Sequence, residues 1–181
     1  IYPLSPLSGE YDAINVNKQN YFVQSIDEFD FSKANVALFL TTQDESQRWI
    51  SKAQSEGCVV IDNSHLFSGD EKTTLIMPEI NPFDVKKAIE TRLVIPALAP
   101  SVQLSLALCA LHDEFGISRA VVSSLESVSE YGRLGTETLA HETSSLLNGM
   151  SAEHQGFSAQ VAFNLHTIMG TAEENGYSDH E

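Results

Sequence analysis

The turn joining Leu93-Val94-Ile95-Pro96 to Val102-Gln103-Leu104 is the place in this chain best suited to hold a nucleophile. The pattern predicts a strand, a short turn and a buried helix, and a helix start offers unpaired N–H groups and a positive dipole end that lower a thiol pKa. The turn reads Ala97-Leu98-Ala99-Pro100-Ser101, so neither Ala99 nor Pro100 brings a group to activate. Ser101 would need an adjacent base to attack a carbonyl, and with no histidine beside it in sequence a local backbone hydrogen bond is its expected role. The two thiols, Cys58 and Cys109, each sit in an apolar run, and Cys109 in mid-helix is assigned to the core, where burial keeps a thiol protonated. The six histidines (His65, His112, His141, His154, His166 and His180) are spread singly, without the spacing of a zinc site, and no metal is expected.

Other chemistry-bearing clusters read as surface or packing. Asp27-Glu28-Asp30 and Glu173-Glu174 are acidic groups expected in solvated loops, and Trp49, with Ile50 and Ala53, reads as a packing anchor in a helix. The chain has 181 residues, 42% of them hydrophobic, which suffices for a buried core. A formal charge of −15, from 25 acids against 10 bases, repels phosphate backbones and anionic lipid, so nucleic acid is excluded as a partner. No apolar run approaches the roughly 20 residues that span a bilayer. No charged-then-apolar leader opens the sequence, and two scattered thiols suit a reducing cytoplasm.

The elements that would position these residues alternate as in a parallel sheet up to about residue 98. Val36 to Leu40 is a continuous apolar run, predicted as a strand covered on both faces. Asp44 is the expected cap of an amphipathic helix running through Gln54 and stopped at Gly57. Cys58 to Ile61, Thr74 to Met77 and Arg92 to Ile95 are predicted strands, with a helix from Phe83 to Glu90 begun just after Pro82. Beyond residue 98, Leu104, Leu108, Leu111 and Phe115 recur at helical spacing, and Leu106 to Leu111 is apolar on all sides, which predicts deep burial. Arg119 to Leu125 is predicted as a strand and Thr136 to Asn148 as a helix closed by Gly149; Ala152 to Glu181 shows no readable pattern.

Together with Ile61-Asp62-Asn63-Ser64, Pro78-Glu79-Ile80-Asn81-Pro82 and Leu111-His112-Asp113-Glu114-Phe115-Gly116-Ile117, the Leu93 to Leu104 segment resembles bacterial aspartate-semialdehyde dehydrogenase from end to end. In that family the turn is similar to Asn-Pro-Asn-Cys followed by Ser-Thr-x-Gln, and the Cys attacks the substrate carbonyl. With Gln103 in register, the resemblance puts the nucleophile position on Ala99 and the preceding Asn on Leu98. It implies an α/β fold: residues 1–98 a partial NAD(P)-binding Rossmann-like parallel sheet, residues 99–181 a partial α+β dimerisation domain of the semialdehyde dehydrogenase type. The Gly-x-x-Gly-x-x-Gly unit expected upstream of Ile1, and the substrate Arg and general-base His expected downstream, are not in the sequence, which is therefore read as a fragment.

The resemblance also implies where ligands would bind, and these positions are degraded. Leu7 stands where an Arg would hold the 2′-phosphate of NADP, and Thr42 and Gln43, after Leu40 and Thr41, replace small residues that admit the cofactor. Ser68 stands where an Arg would bind the phosphate co-substrate, and Glu126 where a Gln would contact substrate. A small-residue loop becomes Ser129-Glu130-Tyr131-Gly132-Arg133-Leu134-Gly135, with Ser129 and Gly132 at cofactor positions; one further Glu position falls on His180. The expectation is a dimeric, non-catalytic interaction or regulatory homologue, pairing with itself or with an active homologue. The alternative is an NAD(P)-linked oxidoreductase of altered specificity in aspartate-family amino-acid biosynthesis.

Overall fold

A computed structural model of the chain describes residues 1–6, 13–64, 66–67 and 73–166. Two compact units emerge, Ile1–Cys109 and Ala110–Glu181. The first opens with β1 (Leu4–Ser5), then a hairpin of β2 (Ala13–Val16) and β3 (Gln19–Phe22), then β4 (Gln24–Ser25), which pairs with β1 in parallel. Asn17 and Lys18 make the hairpin turn with φ of 51° and 67°, the left-handed backbone that a two-residue turn requires and Asn tolerates.

The main sheet follows from β5 (Val36–Phe39), α1 (Gln43–Ser55), β6 (Val59–Asp62), β7 (Leu75–Ile76), α2 (Pro82–Glu90) and β8 (Leu93–Pro96). Its strands are all parallel, in the order β5-β6-β8-β7. This is the predicted sheet, with two local corrections. Thr42, not Asp44, caps α1: its hydroxyl accepts from Glu45 N–H at 3.5 Å, and Asp44 sits in the first turn where a carboxylate favours the helix dipole. On β5, Phe39 is buried and Ala37 packs on the core, but Val36 and Leu38, which alternate onto the opposite face, are 55% and 59% exposed. The strand is thus covered on one face, not two.

The core of this unit gathers Ile26, Phe29, Phe31, Phe39, Ile50, Ala53, Cys58 and Val60, with Trp49 packed against it as expected. Phe29 and Phe31 meet edge to face at 5.3 Å. Cys58 donates its S–H to the carbonyls of Phe31 and Ala34, and burial pushes its thiol pKa up.

α3 (Ala99–Phe115) begins in the first unit and ends in the second. Its predicted deep burial is overturned: it has no buried residue, and Leu106 and Leu111 are 44% and 51% exposed. Cys109 is accordingly half-buried and not a core residue. The helical pattern was read correctly, but no described residue covers the apolar surface. The predicted strand Arg119 to Leu125 does not form either; residues 119–127 have no regular structure and Val121 and Leu125 are exposed, since a strand needs a hydrogen-bonded neighbour and none is described.

The second unit is built on a 3₁₀ turn, Val128–Tyr131, and α4 (Gly132–Leu147), which starts one turn before the predicted Thr136 and ends at Asn148 and Gly149, the latter at φ 71°. Gly135, Thr138, Glu142 and Ser145 form its buried face. Gly135 is required there: a Cβ would run into the Val128 carbonyl of the 3₁₀ turn. Among the described residues no helix is long and apolar enough to cross a membrane, and no group of three or more His, Cys, Asp or Glu side chains is placed to hold a metal ion.

Candidate functional site

In a parallel sheet the carboxyl ends of the strands lie along one edge, and the loops that leave them form the ligand crevice of this class of fold. Here β5 ends at Phe39, β6 at Asp62 and β8 at Pro96, so the loop of Thr41 and Thr42, the loop of Ser64 and the turn to Ala99 leave the sheet at the same edge. The sequence-predicted positions Ala99, Thr42 and Gln43 therefore share an edge. All three are exposed.

A buried polar chain ties this edge together. Asp62, fully buried, accepts from Ser46 Oγ at 2.9 Å and Ser64 N–H at 3.2 Å through Oδ1, and from Ser64 Oγ at 3.0 Å through Oδ2. Ser46 Oγ in turn lies 2.9 Å from Thr41 Oγ1, and Leu66 N–H donates to Ser64 Oγ at 3.3 Å. One carboxylate thus fixes the β5–α1 loop, the first turn of α1 and the loop after β6. In sequence, Asp62 and Ser64 stand out only through the family resemblance; the local signal is that a polar residue closes an apolar strand.

At α3 the first turn is Ala99-Pro100-Ser101, with Val102 N–H donating to Leu98 O at 2.9 Å. No side chain there carries a nucleophile within this turn other than the Ser101 hydroxyl, which is exposed. At α1 the helix start is already occupied by the Thr42 hydroxyl and by Asp44 and Glu45 in the first turn. The side chains of the crevice edge, Thr41, Thr42, Ser46, Asp62 and Ser64, are hydroxyls and one carboxylate, able to donate and accept hydrogen bonds but not to pair with a phosphate. Leu7 and Ser68, the other first-unit positions, lie outside the described residues, as does His180.

The second unit holds the remaining positions. Glu126 is exposed and takes a hydrogen bond from Ser124 Oγ at 3.5 Å; Ser127 caps the 3₁₀ turn, accepting from Ser129 N–H at 3.3 Å, and Ser129 Oγ contacts Ser127 Oγ at 3.0 Å. Gly132, at φ 59°, ends the 3₁₀ turn and begins α4, a backbone that a side chain would strain. The structure brings Glu126, Ser129 and Gly132 onto one short stretch.

What the sequence did not signal is a buried carboxylate hydrogen-bonded to a histidine in the same unit. Glu142 Oε1 lies 3.0 Å from His154 Nδ1, and Oε2 accepts from the N–H groups of Val161 and Ala162 at 2.7 Å each. Burial pushes the Glu142 carboxyl up, but the Ala162 N–H, His154 and the Val161 N–H together outweigh it and hold the pKa below the usual carboxylate value. The histidines had been read singly, and this partnership joins residues twelve apart across a stretch without regular structure.

Comparison with known proteins agrees with this architecture. Residues 5–88 match the family described as semialdehyde dehydrogenase, NAD binding domain, and residues 108–181 the semialdehyde dehydrogenase, dimerisation domain. The chain is 33% identical over 181 residues to aspartate-semialdehyde dehydrogenase of Shewanella sp. (strain DB6705), covering 100% of itself and 54% of that protein. The same figures hold for aspartate-semialdehyde dehydrogenase 2 of Vibrio cholerae serotype O1. The crystal structure of aspartate semialdehyde dehydrogenase II complexed with ASA from Vibrio cholerae superposes with a TM-score of 0.93 at 33% identity, over 99% of this chain and 54% of that one. A probable aspartate-semialdehyde dehydrogenase from Pseudomonas aeruginosa superposes with a TM-score of 0.83 at 25% identity. The chain thus spans about half the length of the relatives it matches. With a parallel sheet in the stretch that matches the NAD binding domain model and a following stretch that matches the dimerisation domain model, it belongs to the aspartate-semialdehyde dehydrogenase family.

Proposed function

We propose that this protein is a non-catalytic member of the aspartate-semialdehyde dehydrogenase family, a dimeric interaction or regulatory homologue. The observation that carries the reading is Ala99 at the first turn of α3, directly after β8, where the resemblance puts the attacking Cys. A methyl group cannot form the covalent intermediate of nucleophilic catalysis. Supporting it, the Asp62 carboxylate behind the crevice edge is buried and engaged by Ser46 and Ser64, and the α1 start is capped by Thr42 with Asp44 and Glu45 beside it. In sequence, Leu7 stands where the resemblance puts the Arg for the 2′-phosphate of NADP and offers that phosphate no cation, so no step is routed through that cofactor. Glu126 adds a carboxylate where a substrate bearing its own carboxylate would be repelled.

The dimerisation-domain match supports self-association, and a preserved two-fold surface also accepts a close homologue, which makes an active dehydrogenase subunit a second partner in this reading. The cytoplasm, the compartment of aspartate-family amino-acid biosynthesis, is where such a partner would be met. The test is Ala99→Cys in the intact protein, assayed for phosphate-dependent reduction of NADP with aspartate semialdehyde. No turnover is expected, because Leu7 and Ser68 leave the cofactor and co-substrate phosphates without cations, and measurable turnover would show that those two positions are misjudged; turnover by the unaltered protein would overturn the proposal. One observation favours the alternative, an NAD(P)-linked oxidoreductase of altered specificity: residues 5–88 still match an NAD-binding domain. Calorimetric titration with NADP and with NAD separates the two readings, heat of binding from either dinucleotide supporting the alternative.

A further inference from the structure

Glu142 and His154 are not among the positions that the resemblance singles out, and their contact bears on the chain around them. Glu142 is fully buried on the face of α4 that also carries Thr138, and residues 151–166 have no helix or strand. α4 and the 3₁₀ turn before it nevertheless hold that stretch at several points. Thr138 Oγ1 donates to Gln155 O at 3.4 Å, Glu142 takes His154 on one oxygen and the Val161 and Ala162 amides on the other, and Phe157 stacks edge-on against Tyr131 at 5.0 Å. A carboxylate without a proton can only accept, so the hydrogen of the His154 contact sits on Nδ1. That fixes the neutral ring as one tautomer, with the lone pair on Nε2, on the side away from the carboxylate; the side chain is 40% exposed.

We propose that Glu142 and His154 form a latch that fixes residues 154–162 as a strap on α4 and leaves His154 Nε2 as the outward acceptor. Both oxygens of the carboxylate are engaged, which is why so short a set of contacts can order a segment that has no backbone ladder of its own. The latch stands whether or not the protein turns over substrate.

Two measurements on the intact protein test it. Long-range ¹H–¹⁵N spectra of the histidines should show His154 with its proton on Nδ1; a ring protonated on Nε2 alone overturns the proposal. Amide exchange at Val161 and Ala162 should be at least about 10-fold slower than in the exposed Val121 to Leu125 segment, as for hydrogen-bonded rather than open backbone. In Glu142→Gln the side-chain oxygen still accepts both amides and the NH₂ group donates to Nδ1. Protection at 161 and 162 should therefore stay within about threefold while the imidazole proton moves to Nε2. Glu142→Ala should lose that protection by about 10-fold or more. Unchanged protection in Glu142→Ala, or an unmoved tautomer in Glu142→Gln, would sink the idea; the Gln variant decides it even where the Ala variant does not fold.

Discussion

In the first unit the side chains removed from water are mostly apolar, Phe31, Ile95, Val60 and Cys58 among them, and they close around the parallel sheet. In the second, Glu142 and Thr138 are the fully buried large groups, while Leu125 and Leu147 remain 87% and 75% exposed. Burial of apolar surface is what drives folding, whereas a buried carboxylate with its partners mainly avoids the penalty of being left alone. The first unit therefore carries its own cohesive core. The second, among its described residues, is organised by polar pairing and presents its apolar side chains outward, as suits a domain whose family is described by dimerisation.

The comparison can be broken most severely at Phe31. Phe31→Ala removes the largest fully buried side chain and should cost the first unit about 3–5 kcal/mol in urea unfolding. Amide exchange in α4 should hardly change. Equal loosening of both units would show that they share one core and end the contrast. A smaller effect is expected at the crevice edge, where Asp62→Asn keeps the shape but loses acceptance from one of its three donors. About 1–2 kcal/mol should be lost, with faster exchange confined to the loops after β5 and β6. Stability within about 0.3 kcal/mol of the parent would deny Asp62 its structural place.

The smallest effect is one of pH and sharpens the picture of the second unit. Glu142 has a folded pKa below its unfolded value, so the stability it adds is fully present above the ordinary carboxylate range and fades as pH falls through the lower folded value. Between about pH 6 and about pH 3 the parent protein should lose denaturant resistance more steeply than Glu142→Gln, which differs only in having no ionisable group at position 142. Parallel acid limbs for the two proteins would remove the carboxylate from the account.

The sheet was legible because each strand is a short apolar run set off by a helix and a punctuating residue: Gly57, at φ 107°, ends the α1 region, and Pro82 starts α2. The hairpin went unread because its turn, Asn17-Lys18, lacks the glycine that usually announces one. At α3 and residues 119–125 apolar pattern was equated with burial, yet a pattern tells which surface wants cover and not whether cover is present. Of the candidate site, the absence of a nucleophile at Ala99 was readable from local sequence. The Ser46 contact of Asp62 and the Glu142 latch were not, because those partners come together only through the tertiary fold. On α4 the pattern misleads outright: it favours burying leucines, and Leu139 and Leu147 are exposed while Glu142 is enclosed.

Among the described residues β5 stands at the end of the main sheet, pairs there with β6 alone and shows Val36 and Leu38 to water. An open strand margin with apolar side chains invites another strand to add to it, so a concentrated solution of this 181-residue chain should self-assemble into β-rich particles. Light scattering that stays flat with concentration, or that is unaltered by Leu38→Lys, would contradict this. Placing a lysine there is the natural first step for keeping the polypeptide dispersed at the bench.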